Sequence, residues 1–266
     1  MKTRIITGIW AGAIFLGLLY LGGLPFLTFM AALTVIGYTE LIKMRQLSFK
    51  SLPVLLFGAG ALLPFVGLYE QAENHSLSLG LSPLAWGMLI VLISLFWTVF
   101  SKNVFTFDDV AFLLLTAVYV GVGFASFTYI RLLENGLIVS LLIILLIWFT
   151  DSGAYFVGKS LGKTKLWPAI SPNKTVEGAV GGIVLALMLG VLFEWIHPTV
   201  GFGKVLLLAL IVAVVGQLGD LVQSAYKRHY GVKDSGALLP GHGGILDRFD
   251  SMIIVFSVLI VLGIFG

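Results

Sequence analysis

The sequence predicts an all-α integral membrane protein of about nine transmembrane helices, N-terminus cytoplasmic and C-terminus on the opposite side. Three observations predict it. Of 266 residues, 59% are hydrophobic and only 11% charged, with a mean hydropathy of +1.06, whereas a soluble domain carries about 25% charged residues. Apolar runs near the roughly 20 residues that a span requires recur along the whole chain. Once those runs are placed, all but two of the 16 Lys and Arg fall on one side of the membrane, the asymmetry that cytoplasmic loops show. Eight prolines and 32 glycines suit membrane helices. The net charge of +3 is small, and the lack of cysteine excludes disulfides, zinc–thiolate sites and a catalytic thiol.

In order, the spans fall near 5–22, 24–43, 52–68, 83–100, 109–130, 136–155, 177–195, 204–223 and 249–265. The apolar run Ile5–Tyr20 behind Lys2 and Arg4 exceeds the roughly 7–15 residues of a signal peptide and meets no small-x-small cleavage site, so it reads as a retained span. Gly8 and Gly12 have the spacing of closely approaching helices, or coincide by chance in a glycine-rich chain. Gly22-Gly23-Leu24-Pro25 signals a turn, Gly58, Gly60 and Pro64 interrupt the third span, and the polar stretch Tyr69–Ser82 reads as a loop. No internal repeat emerges, which counts against transporters built from inverted repeats.

With these spans only Arg131 and Lys204 lie on the outer side. The chain divides into N-terminal transmembrane helices (1–130) and a C-terminal transmembrane catalytic region (131–266), whose loops 156–176 and 224–248 face the cytoplasm. Both loops hold the residues suited to chemistry.

The densest stretch is Ser224–Asp250, SAYKRHYGVKDSGALLPGHGGILDRFD. It gathers Lys227, Arg228, His229, Lys233, Asp234, His242, Asp247, Arg248 and Asp250 in an otherwise oily chain. Asp247 and Asp250 stand one helical turn apart, and carboxylates are what magnesium binds, commonly one or two with phosphate oxygens and water. Gly241, Gly243 and Gly244 around His242 allow left-handed backbone and close approach to a ligand.

Other candidates lie upstream. Asp151 sits at the cytoplasmic end of span six, where a carboxylate is costly unless paired or metal-bound. Gln217, Asp220, Ser224 and Lys227-Arg228 share one helical face at the end of span eight. Ser171-Pro172-Asn173-Lys174-Thr175-Val176-Glu177 reads as a helix N-terminus. Its free N–H groups and dipole attract phosphate, with Lys174 adding charge, while Asn173 or Thr175 caps the helix and Glu177 suits its first turn.

The pattern SxxKRxxxxKDSGxxxPGHGGxxDRxD, read over Ser224–Asp250, resembles the signature of the phosphatidate cytidylyltransferases, or CDP-diacylglycerol synthases. TDSGAYFVGKSLGK (Thr150–Lys163) and SPNKTVEGAVGG (Ser171–Gly182) are similar to that family as well. Tyr226 departs mildly, standing where an aliphatic residue or Phe is expected. The resemblance is strong over the C-terminal half; the N-terminal half is similar only as a hydrophobic bundle.

The resemblance implies transfer of CMP from CTP to phosphatidic acid, giving CDP-diacylglycerol and pyrophosphate, with magnesium, an all-helical membrane fold and a homodimer. It implies Asp151, Asp220 and Asp247 as an acidic centre and the Lys and Arg residues as phosphate binders. The expected metal residues are Asp151, Asp220, Asp247 and Asp250, with Asp220 and Asp247 holding magnesium and a second cation sharing Asp247 or Asp151. Lys174, Lys227, Arg228 and Lys233 are expected on phosphates, and Arg248 or His242 on the leaving pyrophosphate. Ser171, Asn173, Ser224, Asp234, Gly243 and Gly244 complete the expected substrate-binding set. A CTP-dependent polyprenol kinase is the rival enzyme reading. A transporter is the rival from another class, although it calls for ionisable groups near the bilayer midplane rather than at span ends. Nothing points to nucleic acid, because the basic residues track the inner leaflet.

Overall fold

A computed structural model describes residues 2–73, 82–198 and 201–265. Ten α-helices and one β-hairpin account for most of them. Helices suit this chain because a bilayer offers backbone groups no hydrogen-bonding partners, so each segment must satisfy its own. Among the described residues six helical segments are long and apolar enough to cross a membrane, and the chain is an integral membrane protein.

The residues form two compact units, one of 1–133 with 234–247, the other of 134–233 with 248–266. The first contains α1 (Lys2–Leu21), α2 (Gly23–Arg45), α3 (Leu52–Gly60), α4 (Leu63–Glu73), α5 (Pro83–Phe100) and α6 (Phe107–Leu132). Phe15 and Phe26 pack edge-on against Phe127, with ring centroids 6.1 and 5.3 Å apart, and all three rings are buried. Arg131 on α6 donates to the Leu19 and Tyr20 carbonyls at 2.6 and 3.0 Å. It thereby satisfies acceptors that the end of α1 leaves open. At the other end of these helices, Arg45 of α2 pairs with Asp109 of α6 at 2.7 Å. Asp109 also closes a capping box with Thr106.

The second unit contains α7 (Gly136–Leu161), β1 (Lys165–Trp167), β2 (Ser171–Thr175), α8 (Val176–Ile196), α9 (Phe202–His229) and the body of α10 (Leu246–Val261). α7 and α8 cross with almost no side chain between them. A Cβ built at Gly182 would lie 2.6 Å from the Thr150 carbonyl oxygen, and one at Gly178 2.7 Å from that of Ala154. Small residues four apart permit this approach, the packing that membrane helices favour. α10 lies against α9 in the same way: Ser251 Oγ donates to the Gly216 carbonyl at 2.9 Å, and a Cβ at Gly219 would meet the backbone of Asp250 and Ser251.

The structure alters several sequence expectations. The third span is two helices, broken between Gly60 and Leu63, where the glycines and Pro64 weaken it. Of the expected loop 69–82, residues Tyr69–Glu73 finish α4, and 74–81 lie outside the described residues. α7 and α9 run past their expected ends, so Ser224, Lys227 and Arg228 are helical rather than in a loop. The loop 156–176 contains the β-hairpin, with Lys165 opposite Thr175 and Trp167 opposite Ser171. Gly8 faces no helix: a Cβ there would lie 3.2 Å from His242 Nε2, while Gly12 has open space.

Candidate active site

The second unit holds a cavity of about 440 Å³ beside the hairpin. Its wall includes Asp151 and Tyr155 from α7, Asn173 and Lys174 from β2, and Gln217 and Asp220 from α9. Local sequence explains how these side chains meet. Thr175 ends β2 and caps α8, its hydroxyl accepting from Gly178 N–H at 3.1 Å. Glu177, in the first turn of α8, accepts from the Lys163 and Thr164 backbone N–H groups at 3.1 Å. Those bonds clip the hairpin to the start of α8, and Arg228 Nε reaches the Ile170 carbonyl at its turn, 3.3 Å away.

The charges in this cavity are arranged in alternation. Lys174 Nζ lies 2.5 Å from Asp220 Oδ2 and 3.5 Å from the Gln217 carbonyl. Ser224 Oγ donates to Asp220 Oδ1 at 3.4 Å, and Gln217 Nε2 ties α9 to α8 through the Ala179 carbonyl at 3.3 Å. Asp151 and Asp250 both lie within electrostatic reach of Asp220, Asp151 also of Lys174, and Asp250 also of Lys227. Three carboxylates so close repel one another and favour any added cation. An ion pair as open as Lys174–Asp220, with side-chain exposures of 25% and 35%, contributes about 1 kcal/mol or less to stability. Its value is the placing of a cation and an anion on one cavity wall.

The loop Asp234–Asp247 of the first unit is built differently. Asp247 Oδ2 accepts from Ser235 N–H at 2.7 Å, Ser235 Oγ at 3.1 Å and Gly244 N–H at 3.0 Å. Gly241 and Gly243 take left-handed backbone, with φ of 77° and 84°. A Cβ at Gly243 would lie 2.7 Å from Asp247 Oδ2, and one at Gly244 would meet Ser235 Oγ and both oxygens of Glu40. Side chains at these two positions would collide with the protein's own carboxylates.

A family model described as the cytidylyltransferase family matches residues 2–265. The chain belongs to the cytidylyltransferase family. It is 49% identical to the phosphatidate cytidylyltransferase of Bacillus subtilis (strain 168), over 97% of this chain and 96% of that protein. It is 43% identical to the proteins of the same name from Staphylococcus saprophyticus and Staphylococcus aureus (strain COL), with 98% of each chain covered.

In this cytidylyltransferase the residues singled out from sequence divide between the two units. Asp151, Lys174, Asn173 and Asp220 line the cavity, with Ser171 on the hairpin and Ser224, Lys227 and Arg228 on the last turns of α9. Asp250 and the exposed Arg248 belong to the same unit. Lys233 ends the first segment of that unit and is exposed; Asp234, also exposed, begins the loop that includes His242, Gly243, Gly244 and Asp247. His242 Nδ1 is buried without a hydrogen-bond partner in the structure.

Among the described residues, no three His, Asp or Glu side chains form a ready-made metal cage. Magnesium asks for less, since it keeps waters and substrate phosphates as ligands. The hard carboxylate oxygens fit it, and Asp220 already accepts a cationic group in Lys174.

One residue escaped the sequence reading. Glu40 of α2 is only 4% exposed and accepts from Ser235 Oγ at 2.7 Å, Ile245 N–H at 2.7 Å and Leu246 N–H at 3.0 Å. The available signal was a single carboxylate inside the span-forming run of α2, a placement that marks function by default.

Proposed function

We propose that this protein is a phosphatidate cytidylyltransferase, transferring CMP from CTP to phosphatidic acid in phospholipid biosynthesis. The observation that carries the reading is Lys174 held against Asp220 in a cavity beside the capped start of α8. That wall offers a cation for phosphate and an anion for a metal, and the names of the relatives supply the substrates.

In this reaction an oxygen of the phosphatidate phosphate attacks the α-phosphorus of CTP. The bond from that phosphorus to the oxygen bridging to the β-phosphate breaks, and pyrophosphate leaves. Phosphatidate is already ionised at neutral pH, so the protein's task is to let two anions meet. Lys174, Lys227, Arg228 and Lys233 bind phosphates and offset their charge. Arg248 or His242 stabilises the pyrophosphate as it departs, while Ser171, Asn173, Ser224, Asp234 and the Gly243-Gly244 backbone complete substrate binding.

Magnesium, when bound, supplies further positive charge to the triphosphate. Asp220 and Asp247 would hold it, a second cation would share Asp247 or Asp151, and Asp250 completes the acidic set. The nine-span topology, with the active site at the cytoplasmic face of a bacterial inner membrane, draws support from the one-sided Lys and Arg distribution. A homodimer follows from the family resemblance alone.

CTP labelled on either the α- or the γ-phosphate tests the reaction. The α label is expected in chloroform-soluble product, with unlabelled lipid from γ-labelled CTP. A lipid kinase would transfer the γ label, and a transporter neither.

A further inference from the structure

We propose that Glu40, a buried carboxylate of α2, is a positioning residue for the reaction: it seats the loop that carries Asp247 and so sets the affinity for the divalent cation. This rests on the reading of Asp247 as a magnesium ligand.

A carboxylate removed from water is costly unless hydrogen bonds or a counter-charge replace its hydration. Glu40 is 4% exposed, and its three hydrogen bonds come from Ser235, Ile245 and Leu246, all in one loop. Two are backbone N–H groups, of Leu246 at the start of α10 and of Ile245 just before it, where unpaired donors and the helix dipole favour an anion. Glu40 thus caps α10 from another helix. The fit is close, because a Cβ at Gly236 would lie 2.7 Å from Glu40 Oε1 and one at Gly244 2.5 Å from either carboxylate oxygen. Two glycines of the loop are therefore required by Glu40 itself.

The link to Asp247 runs through Ser235, a residue only 5% exposed. Its hydroxyl lies 2.7 Å from Glu40 Oε2 and 3.1 Å from Asp247 Oδ2, and it has one proton to share between them. Glu40 thereby fixes the rotamer of the group that holds Asp247. A partner behind a metal-ligating carboxylate typically changes metal affinity by about 10–100-fold. Glu40→Gln replaces one carboxylate oxygen by an N–H₂ that faces donors, removing one acceptor as well as the charge.

The test is Mn²⁺ binding to the purified full chain in detergent, followed by electron paramagnetic resonance, alongside the Mg²⁺ concentration giving half-maximal activity. Glu40→Gln is expected to weaken Mn²⁺ binding about 10–100-fold and to raise the Mg²⁺ midpoint in parallel, with KM for CTP at saturating Mg²⁺ unchanged. Ser235→Ala leaves Glu40 its two backbone donors, which preserves a folded protein if Glu40→Gln misfolds; it is expected to weaken Mn²⁺ binding about 10-fold. Wild-type Mn²⁺ affinity in either folded variant, with binding lost in Asp247→Asn, would overturn the role of Glu40 alone. Wild-type affinity in Asp247→Asn would overturn the metal assignment of Asp247 and this role together.

Discussion

Lys174 Nζ sits 2.5 Å from Asp220 Oδ2, joining the β-hairpin to α9. So exposed a pair adds about 1 kcal/mol or less to stability, but under the proposed reading Lys174 meets the triphosphate and acts on the reaction directly. Lys174→Ala is therefore expected to lower kcat/KM for CTP by about 10–100-fold, the loss of one charge-assisted contact. Thermal stability should change by no more than about 1 kcal/mol. Steady-state kinetics and a melting curve on the same preparation separate the two effects.

Much of the helical frame was legible because the bilayer imposes length and polarity on each span. α5 and α8 begin and end within a residue of the apolar runs expected for them. α7 and α9 outrun theirs because polar residues such as Lys159 and Ser224 end an apolar run without ending a helix. The hairpin was illegible: β1 has three residues and β2 begins Ser-Pro, too short for an alternating pattern. Helical spacing did put Gln217, Asp220 and Ser224 on one face, and the structure joins Ser224 to Asp220. It could not connect Glu40 to Ser235, because nearly 200 residues separate them and only tertiary folding brings them together.

The glycines of the loop offer a test of packing. At Gly244 an added methyl would collide with Ser235 Oγ and the Glu40 carboxylate. Gly244→Ala is expected to destabilise the protein by about 1–3 kcal/mol and to depress activity. Gly12→Ala meets open space in a helix, so it should be neutral or stabilising by up to about 1 kcal/mol. Melting temperatures of the two variants in detergent make the comparison.

Thr175 caps α8 through a single hydroxyl, 3.1 Å from Gly178 N–H. Thr175→Val keeps the shape but removes the acceptor and should cost about 1 kcal/mol. Thr175→Ser keeps the acceptor and should remain close to wild type. Both are read by thermal unfolding, and CMP transfer should fall only in the valine variant, since the cap positions the hairpin carrying Lys174.

Carboxylates toward the ends of membrane helices are the centre of the proposed chemistry. The most direct measurement is incorporation of labelled CMP from CTP into chloroform-soluble lipid by Asp220→Asn and Asp247→Asn, each checked for folding. Both variants are expected to lose at least about 100-fold in kcat, as when a group stabilising transition-state charge is removed. A wild-type rate from either folded variant would contradict its assignment to the metal.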